Sequence, residues 1–179
     1  MGKDKIWPDD LGRILFKFFK DDMEQVFPSI IEGIDSIDDD KSFNLELDKI
    51  HDELIYLHVF AYHQEISHHF ESHVRIFRKK FNEEFEDYLM ESMSEEDMLD
   101  FMIGLTMILL EYQKKYDEIV RNGENRKAVL LNFGSYIVRR VLGEKFENDI
   151  FYSYYMSILY GGIRKELKEL IESSIEMDD

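Results

Sequence analysis

All six histidines of the chain stand between residues 51 and 73, inside a stretch from Phe43 to about Met93 that holds neither glycine nor proline. Imidazole is the one side chain whose ordinary pKa lies near neutrality, and it is the commonest metal ligand, so chemistry is sought here first. At about 100° per residue, His51, His58, Tyr62, Glu65, His69 and His73 share an arc of roughly 80° on one side of a helix, whereas His63 and His68 point elsewhere. Sharing a side is not sharing an ion, because His51 and His58 are ~10 Å apart along the axis. One helical turn separates Glu65 from His69, and another separates His69 from His73. That spacing makes Glu65, His69 and His73 the candidate ligands for a divalent metal such as zinc or iron.

Three better-defined metal patterns fail on the same residues. Glu65 and His68 give the E-x-x-H spacing of ferritin-like di-iron bundles, but those need a second such pair on another helix, and no other helix here has a histidine. A hemerythrin-like arrangement fails for the same reason. The zinc-protease pattern H-E-x-x-H is met from Glu65 to His68, but Gln64 stands where the first imidazole belongs. With no cysteine, thiolate sites, cysteine nucleophiles and disulfides are excluded. No nucleophile with a base, glycine-rich phosphate loop or convergent carboxylate pair can be placed, so no catalytic residue is assigned.

A second group is aromatic. Tyr152, Tyr154, Tyr155 and Tyr160 crowd the chain before Gly161 and Gly162, and Tyr62, Tyr112, Tyr116 and Tyr136 come from elsewhere in the sequence. A buried phenol needs a hydrogen-bond partner, so such a cluster is first a polar-tipped core. The alternative reading is a pocket or an interface built on Tyr62, Tyr152, Tyr155 and Tyr160.

The elements that must position these residues are helical. Leu47, Ile50, Leu54, Leu57 and Ala61, then Ile66, Phe70, Val74, Phe77, Phe81, Phe85 and Tyr88, recur at steps of three or four. A single helix from 43 to 93 would be ~70 Å long, so a break is expected; Arg75, Arg78, Lys79 and Lys80, which suit a helix end, followed by Asn82, Glu83 and Glu84, which suit a helix start, place it near 80–82. Pro8 with two aspartates opens an earlier helix, and Pro28 ends or kinks it, with a continuation through Ile34. Residues 35–42 form a polar connection whose aspartates do not meet the calcium-loop pattern: the turn glycine is missing and Ile37 or Lys49 falls on a ligand position. Ser94 opens a helix that Gly123 stops. Its run from Met98 to Leu110 leaves almost no polar face, which predicts a central helix with Gly104 at a close crossing. Asn125 to Leu142 is the next helix, stopped by Gly143. The last spans Glu144 to about Glu176, where Gly161 and Gly162 mark a break or a tight contact.

The reading is an all-α bundle of five to seven helices in a single domain over 1–179, with short ordered or frayed ends at 1–8 and 176–179. The supply of apolar residues, 44% of the chain, is enough for a sizeable core. With 39 acidic against 22 basic residues the net charge is −17, which repels nucleic acid and anionic lipid alike. No helix-turn-helix with its turn glycine is legible in residues 1–45. No signal peptide is legible either, and Met98 to Leu110 is shorter than the ~20 residues that cross a bilayer, so a soluble, cytoplasmic protein is expected. The function expected is non-enzymatic: binding of a protein partner or self-association, most simply as a homodimer, with no cofactor. The alternatives are a metal-binding bundle on Glu65, His69 and His73, and a small-molecule-binding regulatory domain with a tyrosine-lined pocket.

Overall fold

A computed structural model describes residues 8–37, 47–69, 74–122, 125–143 and 150–174. These form seven helices: α1 (Pro8–Gln25), α2 (Phe27–Ile37), α3 (Leu47–His69), α4 (Val74–Met90), α5 (Glu95–Arg121), α6 (Arg126–Leu142) and α7 (Ile150–Ser174). No strand occurs among the described residues, so the chain is all-α. No helix among them is long and apolar enough to cross a membrane.

α3 is the axis of the bundle and touches each of the other six helices. From Glu53 to Tyr62 every side chain except the half-buried Tyr56 is buried. Such all-round burial, with polar groups enclosed among apolar ones, is the mark of a central helix. The central position expected of α5 therefore belongs to α3. α5 lies at the surface and buries only Leu105, Tyr112 and Ile119, while Leu99, Ile103, Met107 and Leu110 face solvent. Apolar density in a sequence says that a helix has something to cover, not that this chain covers it.

Sequence signals for helix ends hold where the chemistry is local. Ser94 Oγ accepts from Asp97 N (3.2 Å) and caps α5. Asn125 Oδ1 accepts from Lys127 N and Ala128 N (both 3.1 Å) and caps α6, which Gly143 closes at φ 94°, a conformation that favours glycine. The bonds Val26 N to Asp22 O (2.9 Å) and Ile30 N to Val26 O (3.0 Å) carry the ladder across the α1–α2 junction. Pro28 sits in the first turn of α2, where its missing N–H leaves the Glu24 carbonyl without that bond, so the proline kinks the chain. α2 runs to Ile37, into the expected polar connection, whose remainder lies outside the described residues.

The expected break at 80–82 is not there. α4 passes through it without interruption, and Phe77, Phe81, Phe85 and Leu89 form one buried row. The described helices end at His69 and resume at Val74 instead. Asn82, Glu83 and Glu84 are mid-helix, and their carboxylates answer cations rather than an N-terminus: Lys80 Nζ reaches Glu83 (2.9 Å) and Glu84 (3.6 Å), and Arg13 Nε of α1 reaches Glu84 (3.1 Å).

Two glycines set the closest crossings, and neither is one singled out in the sequence. A Cβ on Gly134 would collide with the Ser153 carbonyl oxygen and stand 3.0 Å from Ser157 N, so α6 and α7 touch backbone to backbone. A Cβ on Gly12 would lie 2.6 Å from Lys80 Cβ, so α1 meets α4 in the same way. By contrast, nothing stands within 4 Å of such an atom on Gly104 or Gly162, Gly161 makes only an ordinary contact, and α7 continues unbroken past both of its glycines.

Candidate functional site

Most of what the histidine helix carries is locked into the core. His58 is 1% exposed; its Nδ1 lies 2.9 Å from the Leu54 carbonyl oxygen, and its ring lies 4.4 Å from that of Phe27. Burial pushes its pKa down to about 4, with the Leu54 bond opposing, so the ring is neutral at physiological pH. His51 is half-buried, edge-on to Phe27 and 4.0 Å from Asp52. His68 is exposed.

Of the expected metal set, Glu65 is 4% exposed, and its Oε1 accepts from Arg164 Nε of α7. The side chain of His69 and the whole of His73 lie outside the described residues. Among the described residues no three histidine, aspartate or glutamate side chains converge as metal ligands would.

The tyrosines divide between two clusters. Tyr62 packs with Phe19 (5.8 Å) and Phe81 (5.7 Å), towards α1 and α4. Tyr160 packs with Phe133 (4.9 Å) and Phe60 (6.1 Å), towards α6 and α3. Tyr152 is buried, and Tyr155 is half-buried with its hydroxyl near Gly33. Of this set, Tyr62 lines a cavity of about 130 Å³ together with Asp22 and Glu166. Burial, Glu166 and Asp21 raise the Asp22 carboxyl to about 6 there.

Two carboxylate–arginine centres fasten α3 to its C-terminal neighbours. Glu53 accepts from the Tyr112 hydroxyl and from Arg140 Nε (2.7 Å), and Arg140 also reaches Glu111 (2.8 Å). Glu65 pairs with Arg164, whose Nη1 donates to the Tyr116 hydroxyl (3.1 Å). Burial works against both guanidinium charges, but the glutamate and tyrosine oxygens outweigh it and hold both pKa values raised. Both centres are saturated with partners, which suits a fastening role.

Two features look outward. One is the solvent face of α5, where Leu99, Ile103, Met107 and Leu110 are 57, 52, 67 and 67% exposed at spacings of four, four and three. The other is a cleft of about 310 Å³ between α3, α4 and α5, into which His63, Arg78 and Asn82 bring polar groups. Sequence reasoning set His63 aside as off the histidine arc and took Arg78 for a helix-end cation. The signal available for the cleft was that His63 and Arg78 fall on adjoining helices with no acid placed to answer the arginine. Compared with protein-family models, with curated proteins and with solved structures, the chain matches none.

Proposed function

We propose that this protein acts through association with a second copy of itself across the outer face of α5. The observation that carries the reading is the exposed row Leu99, Ile103, Met107 and Leu110, an apolar strip along α5 with charged residues at both of its ends. The ends of the strip differ in sign. Glu96 and Asp100 stand at its N-terminal end and Lys114 at its C-terminal end, all exposed. Neither Glu96 nor Lys114 has an ion-pair partner among the described residues.

An antiparallel copy related by a two-fold would set Ile103 against Met107, Leu99 against Leu110 and Glu96 against Lys114, a self-complementary arrangement such as closed dimers require. Each apolar side chain is already a third to a half covered, so completing its burial contributes on the order of 1 kcal/mol, and the two-fold doubles the set. Light scattering at tens of micromolar is expected to give twice 21.6 kDa for the native chain and 21.6 kDa for Ile103→Glu. The charge-reversed pair offers a sharper check: Glu96→Lys and Lys114→Glu should each weaken the dimer and restore it when combined. A native chain that stays at 21.6 kDa under these conditions removes the proposal.

A further inference from the structure

The cleft between α3, α4 and α5 holds a charge that none of the described residues balances. Arg78 Nη2 donates to Ser67 Oγ (2.6 Å) and to the His63 carbonyl oxygen (3.3 Å), both neutral, while its Nε is buried without a partner. The guanidinium is about half buried, and burial lowers its pKa with no carboxylate to raise it again. Arg140 and Arg164, in comparable burial, each meet a glutamate. No described carboxylate pairs with Arg78, although the chain has 39 acidic residues and an unanswered cation is costly to bury.

The second orphan is beside it. Burial and the Arg78 charge push the His63 imidazole down to about 3, against a hydrogen bond with the Asn82 side chain, so the ring is neutral, and its Nε2 is buried with no hydrogen-bond partner. Asn82, Thr106 and Gln113 also line the cleft, with Phe60, Leu105 and Leu109 among its apolar side chains. Unpaired buried polar atoms are rare in folded chains, and both of these belong to residues that line one cavity. That cavity also has the amphipathic lining of ligand sites and a volume at their lower end, about 310 Å³.

We infer that this cleft binds a small apolar monocarboxylate, with its carboxylate against the Arg78 guanidinium and its hydrocarbon part along Phe60, Leu105 and Leu109. The cation calls for an anion, the small volume for a small head group, and the apolar side chains for a tail rather than a second charge. The site is distinct from the outer face of α5, although Leu110 borders both.

The probe is octanoate, titrated into the full chain by calorimetry, with octan-1-ol as its uncharged counterpart. One-to-one binding of octanoate, at least tenfold tighter than the alcohol, and a rise in melting temperature with octanoate concentration are expected. Arg78→Met keeps the stem and removes the charge. It should lose octanoate binding by tenfold or more without lowering the melting temperature of the free protein, whereas an arginine with a merely structural role would lower it. Leu109→Trp, which fills the apolar end from a half-exposed position, should block octanoate and leave the helical spectrum intact, so the inference does not depend on one variant folding. Equal affinity for octanoate and octan-1-ol, no octanoate binding at millimolar concentration, or undiminished binding in either folded variant overturns it.

Discussion

Phe60 and Tyr62 stand two residues apart on α3, about 200° around its axis, and look into different kinds of core. Tyr62 faces Phe16, Phe19, Phe81 and Phe85, a set of rings from α1 and α4 whose centroids lie 5.3–6.3 Å apart. Phe60 faces Tyr112, Tyr116, Phe133 and Tyr160, and that side also encloses the Glu53–Arg140 and Glu65–Arg164 pairs. The first side is held by area and packing, each fully buried ring being worth roughly 1.5–3 kcal/mol. The second is held by the same area together with a set of polar groups that stabilises only while complete, because each charge is tolerable only beside its partner. One helix thus joins a side held chiefly by packed rings to one that also depends on its charges staying paired.

The largest effects test that contrast directly. Arg164→Met should cost about 3–5 kcal/mol at pH 7, because it takes the paired cation away from the buried Glu65 carboxylate; adding Glu65→Gln to it should recover most of the loss. Phe81→Ala should cost a similar ~3–5 kcal/mol through the cavity it leaves, and no second substitution of a polar group should recover it. Urea denaturation of the three variants reads the difference: adding Glu65→Gln should restore most of the midpoint lost in Arg164→Met, and Phe81→Ala should keep its full penalty. A double variant no more stable than Arg164→Met alone would erase the distinction drawn between the two sides.

A smaller effect comes from histidine. His58 is held down to about 4 and His63 to about 3, below the ordinary value near 6.5, so between those limits the unfolded chain binds more protons than the folded one. Both rings are neutral in either state at pH 7 and contribute nothing there. As pH falls from about 6.5 towards 4, His58 alone should withdraw about 3 kcal/mol of stability. Denaturation midpoints of the native chain and of His58→Gln should therefore converge in that window; parallel curves would show that the ring is not held neutral. The smallest effect is that of Ile103→Glu on unfolding, within about 0.5 kcal/mol because the residue is half exposed, even though the same change governs assembly.

Much of the fold was legible because helix period and end caps are local. The row Phe77, Phe81, Phe85 and Leu89, the cap residues Ser94 and Asn125, and the stop at Gly143 all read correctly from spacing and side-chain chemistry alone. What failed depended on neighbours that spacing does not reveal. Asn82, Glu83 and Glu84 looked like a helix start, but Lys80 and Arg13 answer the two carboxylates on a continuous helix. Gly161 and Gly162 looked like a contact because they are paired in sequence, whereas Gly134 is the one pressed against another backbone. For the cleft, the arc calculation ranked histidines by shared direction, so His63 was discarded although a buried group with an empty valence matters more than a row of aligned ones. Arg78 was hidden by Arg75, Lys79 and Lys80 around it, and only packing separates it from them.

The seam at Gly134 also bears on the order in which the protein comes apart. With the two backbones in contact at Gly134 and Ser135 Oγ bonded to Ser153 Oγ at 2.9 Å, α6 and α7 have no side chain between them at that crossing to loosen first, so separating them there exposes main chain at once. Their facing amides should exchange with solvent deuterium only when the whole bundle opens. α5 has just Leu105, Tyr112 and Ile119 fully enclosed along its 27 residues and can lift away as a smaller unit at lower free energy. The helix offered to a partner is then also the one that the bundle releases most cheaply, and a second copy seated on it would slow that release.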